Sequence, residues 1–199
     1  MKTKPLPIND VREYYFNQFY TTLEATKGYK FERLTECVLF AIQSKTGLRI
    51  SDVLELKYDN ITYKKLDTYL EIVIKKTKQP LTIPIDRLMF KMLQDYKQYI
   101  ILEFNVANDF ILFNYKTNKL FTYMWCNKRI NALNNSGALG EVFKNVGTHS
   151  IRKGLAEYLY NKTDLRTTQY LLGHKSMRTT EIYLELDKEQ HLKVLREAL

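Results

Sequence analysis

THSIRKGLAEYLYNKTDLRTTQYLLGHKSMRTTEIY, residues 148–183, sets apolar side chains at a helical period between polar and basic ones. Ile151, Leu155, Tyr158 and Leu159 fall on the buried face of a helix running from Ser150 to Lys162. His149 stands at its N-terminus, and Arg152 lies about one turn on along the same side. Asp164 caps a second helix over residues 165–172, which Gly173 ends. A short third helix, Thr179–Glu185, carries Tyr183. His149, Arg152, His174 and Tyr183 can each bind or attack a phosphate. Each also has a plain structural use: His149 as a helix cap, His174 as a loop residue after glycine, Tyr183 as one core ring among 15 tyrosines.

The surrounding chain has 199 residues, enough for one domain with a real core. Its 31 lysines and arginines outnumber 22 acidic residues, for a net charge of +9, and a polyanion is the natural partner of such a balance. No apolar run approaches the roughly 18 residues of a membrane span, and Met-Lys-Thr-Lys-Pro has no apolar signal segment. Cys37 and Cys126 lack metal-ligand spacing and read as reduced core thiols of a cytoplasmic protein, and with three histidines and no clustered thiols no zinc site is expected.

Residues 1–9 are expected to form a loose end. Asp10, with Glu13 closing a capping box, is expected to start a first helix that Lys27-Gly28 stops. Leu34, Cys37, Val38, Ala41 and Ile42 predict a buried helix from about Phe31 to Lys45. Gly47 stops it, and Ile50, Val53 and Leu54 start a short one, so Arg49 sits at the corner between two helices. Its ordinary use would be to cap carbonyls of the first. The period then changes to two. Leu70, Ile72 and Ile74, then Leu81, Ile83 and Ile85, predict a small antiparallel sheet with a further strand near Ile61–Tyr63. Lys75, Lys76 and Lys78 lie at the tip of its last turn, either as solvated charges or as a hairpin carrying an ammonium to a polyanion. Helices are expected over Asp86–Phe104 and Thr122–Leu133, loops around a short helical turn over Asn134–Gly147, and a last helix over Asp187–Leu199. The fold class is mainly α with a small antiparallel β-sheet (α+β).

A phosphodiester resists nucleophiles because its oxygens are anionic. Breaking it without metal takes cations on those oxygens, a nucleophile and a proton donor for the leaving oxygen. Arg49, Lys76, His149, Arg152, His174 and Tyr183 supply that set.

In this order the six residues resemble the catalytic domain of the tyrosine recombinases, the phage integrase family. TGLRISDVLEL (46–56) matches the family's first arginine box, and KTKQPLTIP (76–84) is similar to its lysine hairpin. HSIR (149–152) resembles H-x-L-R, and LLGHKS followed by T-x-x-Y matches the second box. The resemblance covers about Phe31 to Leu186. It implies that Tyr183 attacks the scissile phosphate to give a 3′-phosphotyrosyl link, that Arg49 and Arg152 bind the non-bridging oxygens, and that His149 exchanges a proton with Tyr183. Lys76 would protonate the 5′-oxygen and His174 would hydrogen-bond the phosphate. It implies double-stranded DNA as partner, assembly as dimer or tetramer on it, and no cofactor. Lys75, Lys78, Lys128, Arg129, Lys153, Lys175 and Arg178 are the further candidates for DNA contact. Only about 30 residues precede the stretch of resemblance, so residues 1–199 are expected to be one catalytic domain without the separate N-terminal clamp domain of many members, either a catalytic-domain fragment or a single-domain recombinase. The C-terminal helix is expected to dock on a neighbouring protomer. Other readings of the same residues are DNA relaxation of the type IB topoisomerase kind, or a catalytically silent DNA-binding module.

Overall fold

The computed structural model describes residues 3–25, 30–64, 67–106 and 108–184. The expected Lys27-Gly28 helix stop and the Asp187–Leu199 helix lie outside them. In chain order the elements are α1 (Ile8–Glu24), α2 (Lys30–Thr46), α3 (Ile50–Val53), β1 (Ile61–Lys64), β2 (Asp67–Val73), β3 (Pro80–Ile85), α4 (Arg87–Phe104), β4 (Phe113–Asn114), β5 (Lys119–Leu120), α5 (Tyr123–Asn135), α6 (Thr148–Lys162), α7 (Leu165–Leu172) and α8 (Met177–Leu184). The chain is mostly helical, with small antiparallel sheets.

α2 is the axis of the fold. Phe31, Leu34, Cys37, Val38, Leu39, Phe40, Ala41 and Ile42 are all buried, so the helix has neighbours nearly all round. α1, α4 and α6 pack against it. Each large aliphatic side chain fully buried here contributes about 2 kcal/mol, which makes α2 the fixed reference for the elements at its C-terminal end. Arg12 on α1 donates through Nε (3.1 Å) and Nη2 (2.9 Å) to the Ser44 carbonyl near that end.

β1, β2 and β3 form an antiparallel meander in that order, with Leu70 opposite Ile83 and Ile72 opposite Leu81. Leu81, Ile83 and Ile85 point into the core while Thr82 and Pro84 face outward, the period-two pattern of a half-buried strand. Pro80 and Pro84 are accommodated because β3 is an edge strand.

Three helices start where the sequence places them, each with a capped N-terminus. Asp86, Thr122 and Asp164 each accept a backbone N–H of the following first turn, from Met89 (2.8 Å), Trp125 (3.2 Å) and Thr167 (2.8 Å). The start of α1 differs from expectation. The helix begins at Ile8 after Pro7, and Asp10 lies within its first turn rather than capping it. Leu6 and Ile8 are both buried, and their burial pulls the helix start forward. Residues 3–7 are not loose either. Lys4 N–H donates to the Asn145 carbonyl and Leu6 N–H to the Ser150 carbonyl, each at 3.1 Å. This strap runs so close to α6 that a Cβ on Gly154 would collide with the Leu6 carbonyl oxygen. Between α5 and α6 the chain forms turns and bends, with no helix. Asn134 holds them by exchanging two 2.9 Å hydrogen bonds with the Phe143 backbone.

Candidate active site

The α2–α3 corner, the β2–β3 turn and the α6–α8 segment converge at one place. Gly47 (φ +66°) ends α2, and Arg49 in extended conformation opens α3. Because Arg12 already satisfies the Ser44 carbonyl, Arg49 is not spent on capping α2. Its Nη1 is buried and without a hydrogen-bond partner among the described residues. Gln43 fixes the corner against α6, donating to the carbonyls of Thr148 (2.8 Å) and Leu48 (3.3 Å).

Arg152 is 1% exposed. Its guanidinium donates to the Gly47 carbonyl and, at 2.6 Å, to the Leu172 carbonyl, and Nη2 lies 3.5 Å from His174 Nε2. One side chain thereby joins the end of α2, the end of α7 and the loop after it. Burial lowers its pKa to about 10, with Tyr183 and Asp52 pulling upward and Arg49 downward.

His174 follows Gly173, whose φ of +56° ends α7 in a left-handed cap. A Cβ at Gly173 would strike Ile74 Cδ1, so glycine is also what lets the α7 cap sit on the root of the lysine hairpin. An arginine can only donate, so His174 Nε2 accepts and Nδ1 carries the ring proton toward Thr180 Oγ1, 3.0 Å away. Burial, with Arg152, Arg49 and Lys76 nearby, lowers the His174 pKa to about 4. The ring is neutral at neutral pH.

Tyr183 on α8 stands edge-to-face with His174, ring centroids 5.4 Å apart. Its Oη is buried and forms no well-aligned hydrogen bond among the described residues, with the Arg152 guanidinium as its polar neighbour. Burial raises the phenol pKa; Arg152 and Arg49 oppose that without overcoming it. His149 lies in the first turn of α6 and is exposed on the same side. Partial desolvation and the charges of Arg152, Arg49, Lys153 and Lys76 hold its imidazole below the ordinary histidine range.

The three hairpin lysines part company. Lys76 is exposed at the turn, and its charge is felt at both His149 and His174. Lys75 turns away: Nζ pairs with Glu55, and its backbone N–H donates to Asp52 Oδ1 at 3.2 Å. Lys78 adopts a left-handed conformation (φ 58°) that closes the turn. Asp52, one helical turn after Arg49, was not singled out from the sequence. It is 7% exposed and is the carboxylate acting on Arg152. Its spacing from Arg49 is the signal that could have found it.

Of the remaining candidates for DNA contact, Lys128, Lys175 and Arg178 are exposed. Lys175 lines a cleft of about 410 Å³ beside His174, together with Arg166, Gln79 and Tyr170. Arg129 is differently engaged, lying over the Trp125 ring at 5.3 Å and 3.8 Å from the buried Glu36 carboxylate. Lys153 is 9% exposed, with Nζ 5.9 Å from the Tyr183 ring centroid. Among the described residues no group of three or more His, Cys, Asp or Glu stands together as a metal-binding set, and no helix is long and apolar enough to cross a membrane.

Arg49, Lys76, Arg152 and Lys153 thus surround two neutral imidazoles and a neutral phenol, with Asp52 as the carboxylate that acts on Arg152. Cations gathered in a partly dry place repel one another unless an anion joins them. The unpartnered Arg49 Nη1 marks where that anion has an open donor.

A family model described as the phage integrase family matches residues 12–190. A tyrosine recombinase XerC of Caldanaerobacter subterraneus subsp. tengcongensis is 31% identical over 159 residues, 77% of this chain and 40% of the relative. One of Pediococcus pentosaceus is 27% identical over 164 residues, 80% and 52% respectively. The chain spans about half the length of the curated relatives it matches. Among solved structures, XerH recombinase bound to a palindromic difH substrate in a post-cleavage complex has a TM-score of 0.70 at 22% identity, covering 97% of this chain and 52% of that one. A lambda integrase dimer bound to a COC′ core site has a TM-score of 0.60 at 20% identity, covering 92% and 48%.

Proposed function

The chain belongs to the phage integrase family, and we propose that it is the catalytic domain of a site-specific DNA recombinase that cuts and rejoins strands through a 3′-phosphotyrosyl intermediate. The observation that carries the reading is that Arg49 Nη1, buried without a hydrogen-bond partner among the described residues, and the buried Tyr183 Oη, on which Arg152 and Arg49 act, stand in one cation cluster. A phosphodiester offers an acceptor to the first and an electrophile to the second.

In the proposed reaction the non-bridging oxygens accept from Arg49 and from Arg152. The Tyr183 phenol is protonated in the free protein because burial outweighs its cationic neighbours. A phosphate seated among the arginines changes the balance as the phenol loses its proton. His149, neutral at pH 7 because desolvation and its neighbours lower its pKa, takes that proton. Tyr183 Oη bonds to phosphorus, the P–O5′ bond breaks, and Lys76 protonates the departing 5′-oxygen. A strand with a free 5′-hydroxyl reverses the same steps and regenerates the phenol. The phosphotyrosyl bond keeps the energy of the diester, so the cycle balances without ATP. His174 Nε2 already faces Arg152. It orients the guanidinium in the free protein and must change tautomer to donate to a phosphate.

The named relatives support this reading, as do neighbours of the same fold solved on DNA substrates. Double-stranded DNA is the proposed partner, with two or four copies assembling on it in the cytoplasm. The test is a nicked suicide duplex incubated in EDTA and run on denaturing gels beside Tyr183→Phe. A covalent protein–DNA band that the variant lacks is the expected result. A band that persists in the variant, or forms only with divalent metal, overturns the mechanism.

A further inference from the structure

Lys153 follows Arg152 on α6, and its charge alone suggested a contact to the DNA backbone. Its placement argues otherwise. Only 9% of the residue is exposed, so its ammonium sits within the site rather than on the open surface. Its Nζ lies 5.9 Å from the Tyr183 ring centroid, and Arg152 Cζ lies 5.8 Å from the same centroid. Two consecutive residues thus bring two cations to one aromatic ring, within the range where an ammonium is attracted by the π-electrons.

We propose that Lys153 is a positioning residue for the nucleophile, its ammonium holding the Tyr183 ring against the phosphate pocket and stabilising the phenolate as it forms. The proposal rests on the strand-cleavage reading above. Three features carry it. Lys153 is anchored on the rigid first half of α6, which Gln43 ties to the α2–α3 corner and Ser150 ties to the Leu6 strap. The phosphate clamp and the Lys153 ammonium therefore share one frame. α8, among the described residues, sits outside the main core, meeting its neighbours through a small apolar cluster of Ala156, Leu172 and Leu184 and the Thr180–His174 hydrogen bond. A ring on such a helix gains from a cation fixed to the main frame. Finally, the negative charge of a phenolate spreads into its ring, so a cation already at the ring becomes more favourable as the proton leaves and costs no reorganisation at that moment.

Lys153→Met keeps the length and apolar stem of the side chain and removes its charge; Lys153→Arg keeps the charge. Three readouts separate the roles open to this lysine: single-turnover cleavage at saturating nicked duplex, DNA affinity at several salt concentrations, and His149 titration in the DNA-free protein. The histidine is followed by NMR and assigned with His149→Gln, which is practical in a chain with three histidines. The groups facing His149 are Arg152 and Lys153 from α6, Arg49 from the corner and Lys76 from the hairpin.

For Lys153→Met, cleavage is expected to slow by about tenfold or more, the effect of about one cation–π contact strengthened by desolvation. Affinity and its salt slope should stay within about twofold of wild type, since no phosphate contact is lost. The His149 titration should move to higher pH, and the acid limb of the cleavage profile should move with it. Lys153→Arg should recover most of the rate. A Lys153→Met protein that binds DNA more weakly, with a shallower salt slope and an unchanged saturated rate, makes Lys153 a backbone contact and overturns the proposal. So does a variant indistinguishable from wild type. If wild type itself forms no covalent band, the strand-cleavage reading fails. The placement of Lys153 is then judged by the His149 titration alone, and an unshifted titration overturns it.

Discussion

Asp52 Oδ1 accepts the Lys75 N–H at 3.2 Å, joining the first turn after Arg49 to the tip of the β2–β3 hairpin. The Glu55–Lys75 ion pair runs beside it. The neighbour of Lys75 in sequence is Lys76, the proposed acid for the leaving oxygen. The hairpin is held by the segment that presents Arg49, so the two groups are registered with one another through the Asp52 and Glu55 carboxylates.

Asp52→Ala removes that register. Cleavage of a suicide duplex should fall by about 10²-fold, the cost of misplacing a catalytic group by about an ångström, with DNA affinity little changed. Asp52→Asn retains an acceptor for the Lys75 amide and should lose less. Single-turnover rates of the two variants check the order.

Tyr183→Phe should abolish the covalent adduct and leave the fold intact. The Oη it removes is buried, forms no well-aligned hydrogen bond among the described residues and has Arg152 beside it, so stability should stay within about 1 kcal/mol of wild type. Thermal melting of the two proteins tests this. A large loss of stability would mean that the hydroxyl is tied into the structure.

Stability should fall as pH drops from about 6.5 toward 4. His174 titrates at about 4 when folded and near the ordinary histidine value when unfolded, so in that window the unfolded chain binds the extra proton. His149 moves in the same direction. The His174 contribution is at most about 3 kcal/mol, since each tenfold change in proton affinity is worth about 1.4 kcal/mol, and solvent screening from the adjoining cleft reduces it. Urea denaturation at pH 7 and pH 5 should show it, and His174→Gln should flatten the dependence.

Gly154→Ala should destabilise the protein by about 1–3 kcal/mol, the usual range for overpacking, because the added Cβ meets the Leu6 carbonyl. Hydrogen exchange should show weakened protection at the Leu6 and Lys4 amides, which α6 and the preceding loop hold in place.

The sequence was most legible where its signals are local. The alternation of Leu81, Ile83 and Ile85, the helix starts at Asp86 and Thr122, the cap at Asp164, and the helix-ending glycines Gly47 and Gly173 depend on neighbours a few residues away, and they stand where expected. Arg49, Lys76, His149, Arg152, His174 and Tyr183 were picked out by their order, and the structure brings them together. What was not legible depends on partners far along the chain. Nothing near Lys153 says that its ammonium turns inward to a ring thirty residues later, nor does Arg129 reveal that it answers the buried Glu36. Asp10 had the right chemistry for a cap, but burial of Leu6 and Ile8 settled the start of α1 instead.

The hydrogen bond from Arg152 to the Gly47 carbonyl spans 105 residues. Its consequence is one of portability. A zinc knuckle or a glycine-rich phosphate loop can be moved between scaffolds as a short peptide, because its donors are adjacent in sequence. Here the smallest transferable piece that still holds an arginine clamp and a nucleophile runs from residue 47 to residue 183. That piece is most of the domain. Grafting the boxes of this chain onto a foreign helical framework should yield a basic surface and no chemistry, whereas joining the intact domain to a different DNA-targeting module leaves its reactive centre whole.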